Sequence, residues 1–137
     1  MFQKNDKEIK MKNIVKLFVA VAVAATLNGC APSPQVQQAQ NYIAANTPIK
    51  GANKAECDQM WQKVQYFIMK NSTRKMQIAT DVVIETHNTI DVGQRSGSAM
   101  RLINTDGSCE IEGSINMYMI GMDPVLTADM IRFVKGA

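Results

Sequence analysis

Asp106-Gly107 sits in the middle of the segment Ser98 to Met119, and no other feature restricts the fold of this chain as much. The dipeptide suits the two central positions of a type I′ turn, where both residues need positive φ. Thr105 then pairs with Ser108, and the register of a hairpin follows. Leu102 faces Ile111, Met100 faces Gly113 and Ser98 faces Ile115, while on the other side Arg101 faces Glu112 as an opposite-charge pair. A slip of one residue would carry Arg101 to the inner face.

The spacing of apolar residues supplies the other elements. Across Lys54 to Lys70, the residues Cys57, Met60, Trp61, Val64, Phe67 and Ile68 recur at three- and four-residue intervals and make one helical stripe. Glu56, Asp58, Gln62, Lys63 and Gln65 form its wet side, and Asn71-Ser72-Thr73 ends it. Lys75 to Thr86 alternates as a strand, with Met76, Ile78, Val82 and Ile84 on one parity and Gln77, Asp81 and Glu85 on the other. Asn88 to Gly97 reads as a loop. Gly121-Met122-Asp123-Pro124 breaks the last strand, and Thr127 caps a final helix carrying Met130, Ile131, Phe133 and Val134, ended by Gly136. The expected fold is α+β over residues 53–137: one main helix packed on a three-stranded antiparallel sheet, with a short C-terminal helix.

Ahead of that domain, Ala31-Pro32-Ser33-Pro34 and the glutamines 35, 37, 38 and 40 read as a polar tether. Within it, Val36, Ala39 and Ile43 have the spacing of a short helix from Gln35 to Asn46, stopped by Thr47-Pro48-Ile49-Lys50-Gly51. Earlier still, Leu17 to Ala25 is an unbroken apolar run of nine residues behind Lys12 and Lys16. A helix that spans a bilayer needs about 20 apolar residues, so this run has the length of a secretory signal core.

Leu27-Asn28-Gly29-Cys30 follows at once and resembles the lipobox of bacterial lipoproteins. The resemblance covers residues 11 to 30. It implies a cleaved signal peptide over residues 1–29 (with Met11 as an alternative start), a diacylglyceryl group on Cys30, and a lipidated N-terminus and tether over residues 30–52. Ala31 after the cysteine, where aspartate would retain a lipoprotein in the inner membrane, implies the outer membrane, with the domain facing the periplasm or the cell surface. The segment from Cys57 through Thr86, with its Cys, Trp, Lys-x-Gln, Thr-Asp and Ile-x-Thr, is similar to short envelope lipoproteins of proteobacteria. That likeness implies no activity and no functional residue.

Export places the chain in an oxidising compartment. With Cys30 acylated, Cys57 and Cys109 remain as a pair. Cys57 leads the stripe of the main helix, and Cys109 shares the parity of Ile111 and Ile115. A disulfide between them would tie helix to sheet and close a loop of about 50 residues, contributing about 4 kcal/mol in the chain-entropy model.

Charge and reactive groups narrow the function. The chain has 15 basic and 12 acidic residues, but residues 1–29 hold five lysines and two acids, which leaves ten of each sign in the mature part. Net charge gives no reason to expect nucleic acid or acidic lipid, and aromatics at 6% with a single Trp61 give no row of base-stacking platforms. Met117-Tyr118-Met119-Ile120-Gly121-Met122 has the softness of a copper(I) site, but Met117 and Met119 continue the parity of Ile111 and Ile115 and read as core. His87 is the only histidine and reads as a surface residue. Asp81 and Glu85 are separated by about 13 Å of strand rise, too far for a glycosidase pair. No catalytic residue, metal, cofactor or small-molecule substrate is expected. The expected activity is that of a non-catalytic, membrane-anchored lipoprotein with a protein partner in the envelope, acting as adaptor or assembly subunit of an envelope or secretion machine. A periplasmic inhibitor or immunity protein that blocks an enzyme or toxin is the alternative. In either case the partner contact is expected at Ile90, Asp91, Val92 and Arg95, where an apolar pair and a charged pair share a loop with Gly93 and Gly97.

Overall fold

The computed structural model describes residues 31–137. The leader and Cys30 lie outside the described residues. The chain runs through α1 (Pro34–Asn46), β1 (Ile49–Gly51), α2 (Lys54–Asn71), β2 (Met76–Ala79), β3 (Val83–Thr86), β4 (Arg95–Ile103), β5 (Cys109–Met117), β6 (Gly121–Met122) and α3 (Pro124–Lys135). The class is α+β, with three helices and a six-stranded antiparallel sheet in place of the expected three strands. Strand order is β1-β5-β4-β3-β2, and β6 shares with β1 the outer edge of β5.

Each additional strand has a physical origin. The segment expected as one strand, Lys75 to Thr86, folds back on itself, because Thr80 makes the turn with its own hydroxyl. Thr80 Oγ1 accepts from the Val83 and Val82 N–H groups, and the Thr80 N–H donates to the Val83 carbonyl at 2.8 Å. β1 sits in the run expected to act as a breaker, and its Ile49 and Gly51 are buried against β5. Gly51 is required by closeness: a Cβ there would lie 2.5 Å from Cys57 Sγ and 2.9 Å from Cys109 Sγ.

α2 forms where its stripe requires. Asn53 caps it by accepting from the Glu56 N–H, and Glu56 in turn accepts from the Ala52 N–H at 2.7 Å, one residue ahead of the donor a capping box would use. Cys57, Trp61, Val64 and Ile68 are buried. They meet Ile84, Ala99, Cys109, Ile111 and Ile115 from the inner sheet face and Met130, Ile131 and Val134 from α3. α3 is capped by Asp123, not by Thr127, and ends as expected at Gly136 in the left-handed region (φ 74°). Thr127 is buried and accepts from the Ile115 N–H, which pins the helix to β5. The packed unit begins at Pro34 rather than at residue 53, since the stretch expected as tether is helical from that proline and α1 packs on α3. Ala39 is buried, and Tyr42 and Ile43 close on the core.

The hairpin is displaced by one residue from the register expected of Asp106-Gly107. Arg101 pairs with Ile111, Leu102 with Glu110 and Ile103 with Cys109. The loop has three residues, since the Asn104 N–H donates to the Ser108 carbonyl and the Gly107 N–H to the Asn104 carbonyl. Only Gly107 adopts positive φ (86°) within it, so Asp106 is spared the left-handed conformation. Asp106 instead accepts from the Ser108 N–H and hydroxyl, as a three-residue hairpin with a glycine bulge allows. The consequence is the one a slip must have: Arg101 is inside, while Met100 and Leu102 face solvent.

Candidate functional site

Arg101 is 7% exposed and lines the floor of a groove of about 600 Å³ between the first half of α2 and the β2–β3 turn. Burying a guanidinium is costly unless its donors are met. Here Nε donates to the Asp81 carbonyl at 2.8 Å, and Nη1 donates to Asp58 Oδ1 at 2.9 Å and to the Cys57 carbonyl at 3.3 Å. The guanidinium carbon lies 5.2 Å from the Trp61 ring centre, a cation–π distance. The Trp61 indole N–H donates to the Thr80 carbonyl at 3.1 Å. The same few residues thus weld α2, the β2–β3 turn and β4 together beside the Cys57–Cys109 disulfide, whose Cα atoms are 6.0 Å apart. Cys57 and Cys109 are both buried, as their parity requires.

Asp58 is the titrating member. The hydrogen bond from Lys54, and after it the one from Arg101, hold its carboxyl below the ordinary value of 3.8. A carboxylate whose folded value is depressed contributes stability that is complete above the unfolded value and is lost as pH falls through the folded one. Below about pH 4 the parent is therefore expected to lose stability with a steeper pH slope than the Asp58→Asn variant. Urea midpoints measured down the acid range check this, and parallel slopes would remove the assignment. Asp106, lowered by its bonds from the Ser108 hydroxyl and then the Ser108 N–H, is common to both proteins and cancels.

The loop expected to touch a partner is narrower than the sequence suggests. β4 begins at Arg95, so Arg95 belongs to the sheet. Its carbonyl accepts from the Ser72 hydroxyl and the Thr73 N–H, and its N–H donates to Thr73 Oγ1, which fastens the end of α2 to β4. Asp91 folds onto its own loop by accepting from the Val92 N–H. Ile90 and Val92 project into solvent, 67% and 83% exposed. Met119, expected in the core, is turned out at positive φ (59°) in the turn between β5 and β6. His87 is exposed. Sequence reasoning missed Arg101 as an inner residue, and the signal available was the cost of placing Asp106 in the left-handed region.

The outer face of the sheet is uncovered among the described residues. It carries Ile78, Met100 and Leu102, all exposed, next to Glu85, Glu110 and Glu112. Val83, opposite Met100 in the ladder, shares this face, whereas Val82 and Ile103 have the parity of Arg101 and stand at the rim of the inner face. No family model, curated protein or solved structure matches this chain.

Proposed function

We propose that the chain is an exported, lipid-anchored and non-catalytic module of the bacterial cell envelope, acting as adaptor or assembly subunit through a protein partner seated on the outer sheet face. The observation that carries the reading is the direction of Met100 and Leu102. The hairpin register turns both away from the core, and with Ile78 and Val83 they form an apolar strip edged by carboxylates. Clustered exposed apolar side chains with a polar rim are what a protein interface requires, whereas scattered ones are ordinary surface. The Cys57–Cys109 disulfide supports an oxidising compartment, and the lipobox supports anchoring through Cys30 to the outer membrane.

Two measurements test the reading. Cys30→Ser is expected to leave the protein unprocessed and unlabelled by radioactive palmitate, and equal labelling of variant and parent would remove the anchor. Met100→Lys combined with Leu102→Glu is expected to abolish recovery of envelope partners by affinity purification from detergent-solubilised cells. Its stability should stay within about 0.5 kcal/mol of the parent, because both positions face solvent. Undiminished recovery would move the interface off this face. A single stoichiometric enzyme whose activity falls on binding would replace the adaptor with an inhibitor.

A further inference from the structure

Among the described residues, the four most exposed large apolar side chains are Met119 at 87%, Val92 at 83%, Ile120 at 71% and Ile90 at 67%. All four lie on two neighbouring loops. The loop before β4 and the turn after β5 are joined by the Tyr118 N–H, which donates to the Gln94 carbonyl at 3.3 Å. The end of α2 reaches the same pole through the Arg95 carbonyl, and so Lys70, Arg74 and Lys75 come to the pole of Arg95. The acids there are fewer than these cations: Asp91, which accepts from the Val92 N–H, and Asp123, which caps α3, stand against Lys70, Arg74, Lys75 and Arg95. Arg74 and Arg95 each keep a buried Nε–H that no protein acceptor meets. At the opposite pole, around the groove, Glu56, Asp58, Asp81, Asp106 and Glu110 outnumber Lys50, Lys54 and Arg101. The mature chain is neutral in sum, but its charge is polarised along the sheet.

The chain also enters the domain at the basic pole. α1 and α3 run parallel, because the Arg132 guanidinium lies 4.3 Å from the Tyr42 ring centre and Lys135 Nζ donates to Asn46 Oδ1 at 2.6 Å. Tyr42 and Arg132 are each eight residues beyond Pro34 and Pro124, so at the common helical rise the two helices start level. Pro34 therefore sits beside the start of α3, next to the turn that carries Met119 and Ile120. Cys30 is four residues earlier, a reach of at most about 14 Å.

We propose that this pole is a membrane-contact surface, seated on an anionic phospholipid layer with Ile90, Val92, Met119 and Ile120 dipping into its apolar edge and the surrounding lysines and arginines on the headgroup phosphates. Apolar tips ringed by cations are what such an interface selects. A short anchor entering at the same pole holds it against the bilayer and presents the acidic pole and the outer sheet face to the periplasm or surface. The proposal rests on the anchored reading only for the nearness of the lipid; the chemistry of the pole is independent of it.

The test uses the full chain purified from membranes and reconstituted into mixed phosphatidylcholine and phosphatidylglycerol vesicles whose acyl chains are brominated. Trp61 is buried at the far pole and provides a constant background. Fluorescence added by Ile120→Trp is expected to be quenched severalfold more than that added by Leu102→Trp, and the difference should shrink in vesicles of phosphatidylcholine alone. Equal quenching at both positions, or none at Ile120→Trp, overturns the proposal, and a concentration-dependent dimer in the second case gives the tips to a second copy. Mass spectrometry of Cys30 in the same preparation separates the two readings. Acylated but unquenched protein leaves the anchor and removes the contact surface; quenched but unacylated protein does the reverse.

Discussion

Replacing Cys57 and Cys109 together by alanine is expected to lower the melting temperature by on the order of 20 °C, the largest effect of any small change in this domain. The bond joins residues 52 apart, from the first turn of α2 to the start of β5. Closing a loop of that length removes about 4 kcal/mol of conformational freedom from the unfolded chain. Small domains are stable by only about 5–15 kcal/mol, so the loss is a large fraction of the total. The site has no means of compensating. Gly51 presses its backbone on both sulfurs, so the strand that would have to hold the gap closed is a three-residue edge strand. Reduction of the parent should reproduce the same drop, and non-reducing peptide mapping should recover the two cysteines in one linked pair. Free, alkylatable thiols in protein taken from the envelope, or a drop of only a few degrees, would show that the brace is not needed.

What the sequence disclosed follows from how local each determinant is. The stripe from Cys57 to Ile68 is complete within one helix, and α2 lies where that stripe puts it. The parity of Cys109 with Ile111 and Ile115 is complete within one strand, and all three are buried. β1 is different: three residues after a proline become a strand only because β5, about sixty positions later, offers an unpaired edge. The division of β2 from β3 is made by a threonine hydroxyl, without the glycine or proline that marks most turns. α1 shows a short apolar spacing but takes its place from α3 at the other end of the chain. The groove was illegible for the same reason. It is assembled from Asp58, Trp61, Asp81 and Arg101, which become neighbours only after the hairpin register is chosen. The register itself turned on one dihedral preference, that of Asp106.

That choice of register gives Arg101→Ala a large expected cost, about 2–3 kcal/mol of domain stability. Breaking a buried ion pair costs about 3–5 kcal/mol where the abandoned partner stays buried. Asp58 is 41% exposed and recovers part of its hydration, which brings the figure down. What remains is the loss of donors to the Cys57 and Asp81 carbonyls, the vacated space on the groove floor, and the uncovered face of Trp61. Arg101→Lys should recover less than half, because one ammonium cannot meet acceptors on α2 and on the β2–β3 turn together while lying over the indole. Asp58→Ala should also destabilise, since it leaves the buried guanidinium its backbone acceptors but no counter-charge. Urea midpoints on the three variants decide the matter, and they also decide the register. With a two-residue Asp106-Gly107 turn, Arg101 would stand in solvent and its removal would stay within about 0.5 kcal/mol of the parent. In that case Leu102→Glu would be the ruinous substitution, because Leu102 would be the residue inside. The opposite pattern, with Arg101→Ala damaging and Leu102→Glu silent for stability, is the one this hairpin requires.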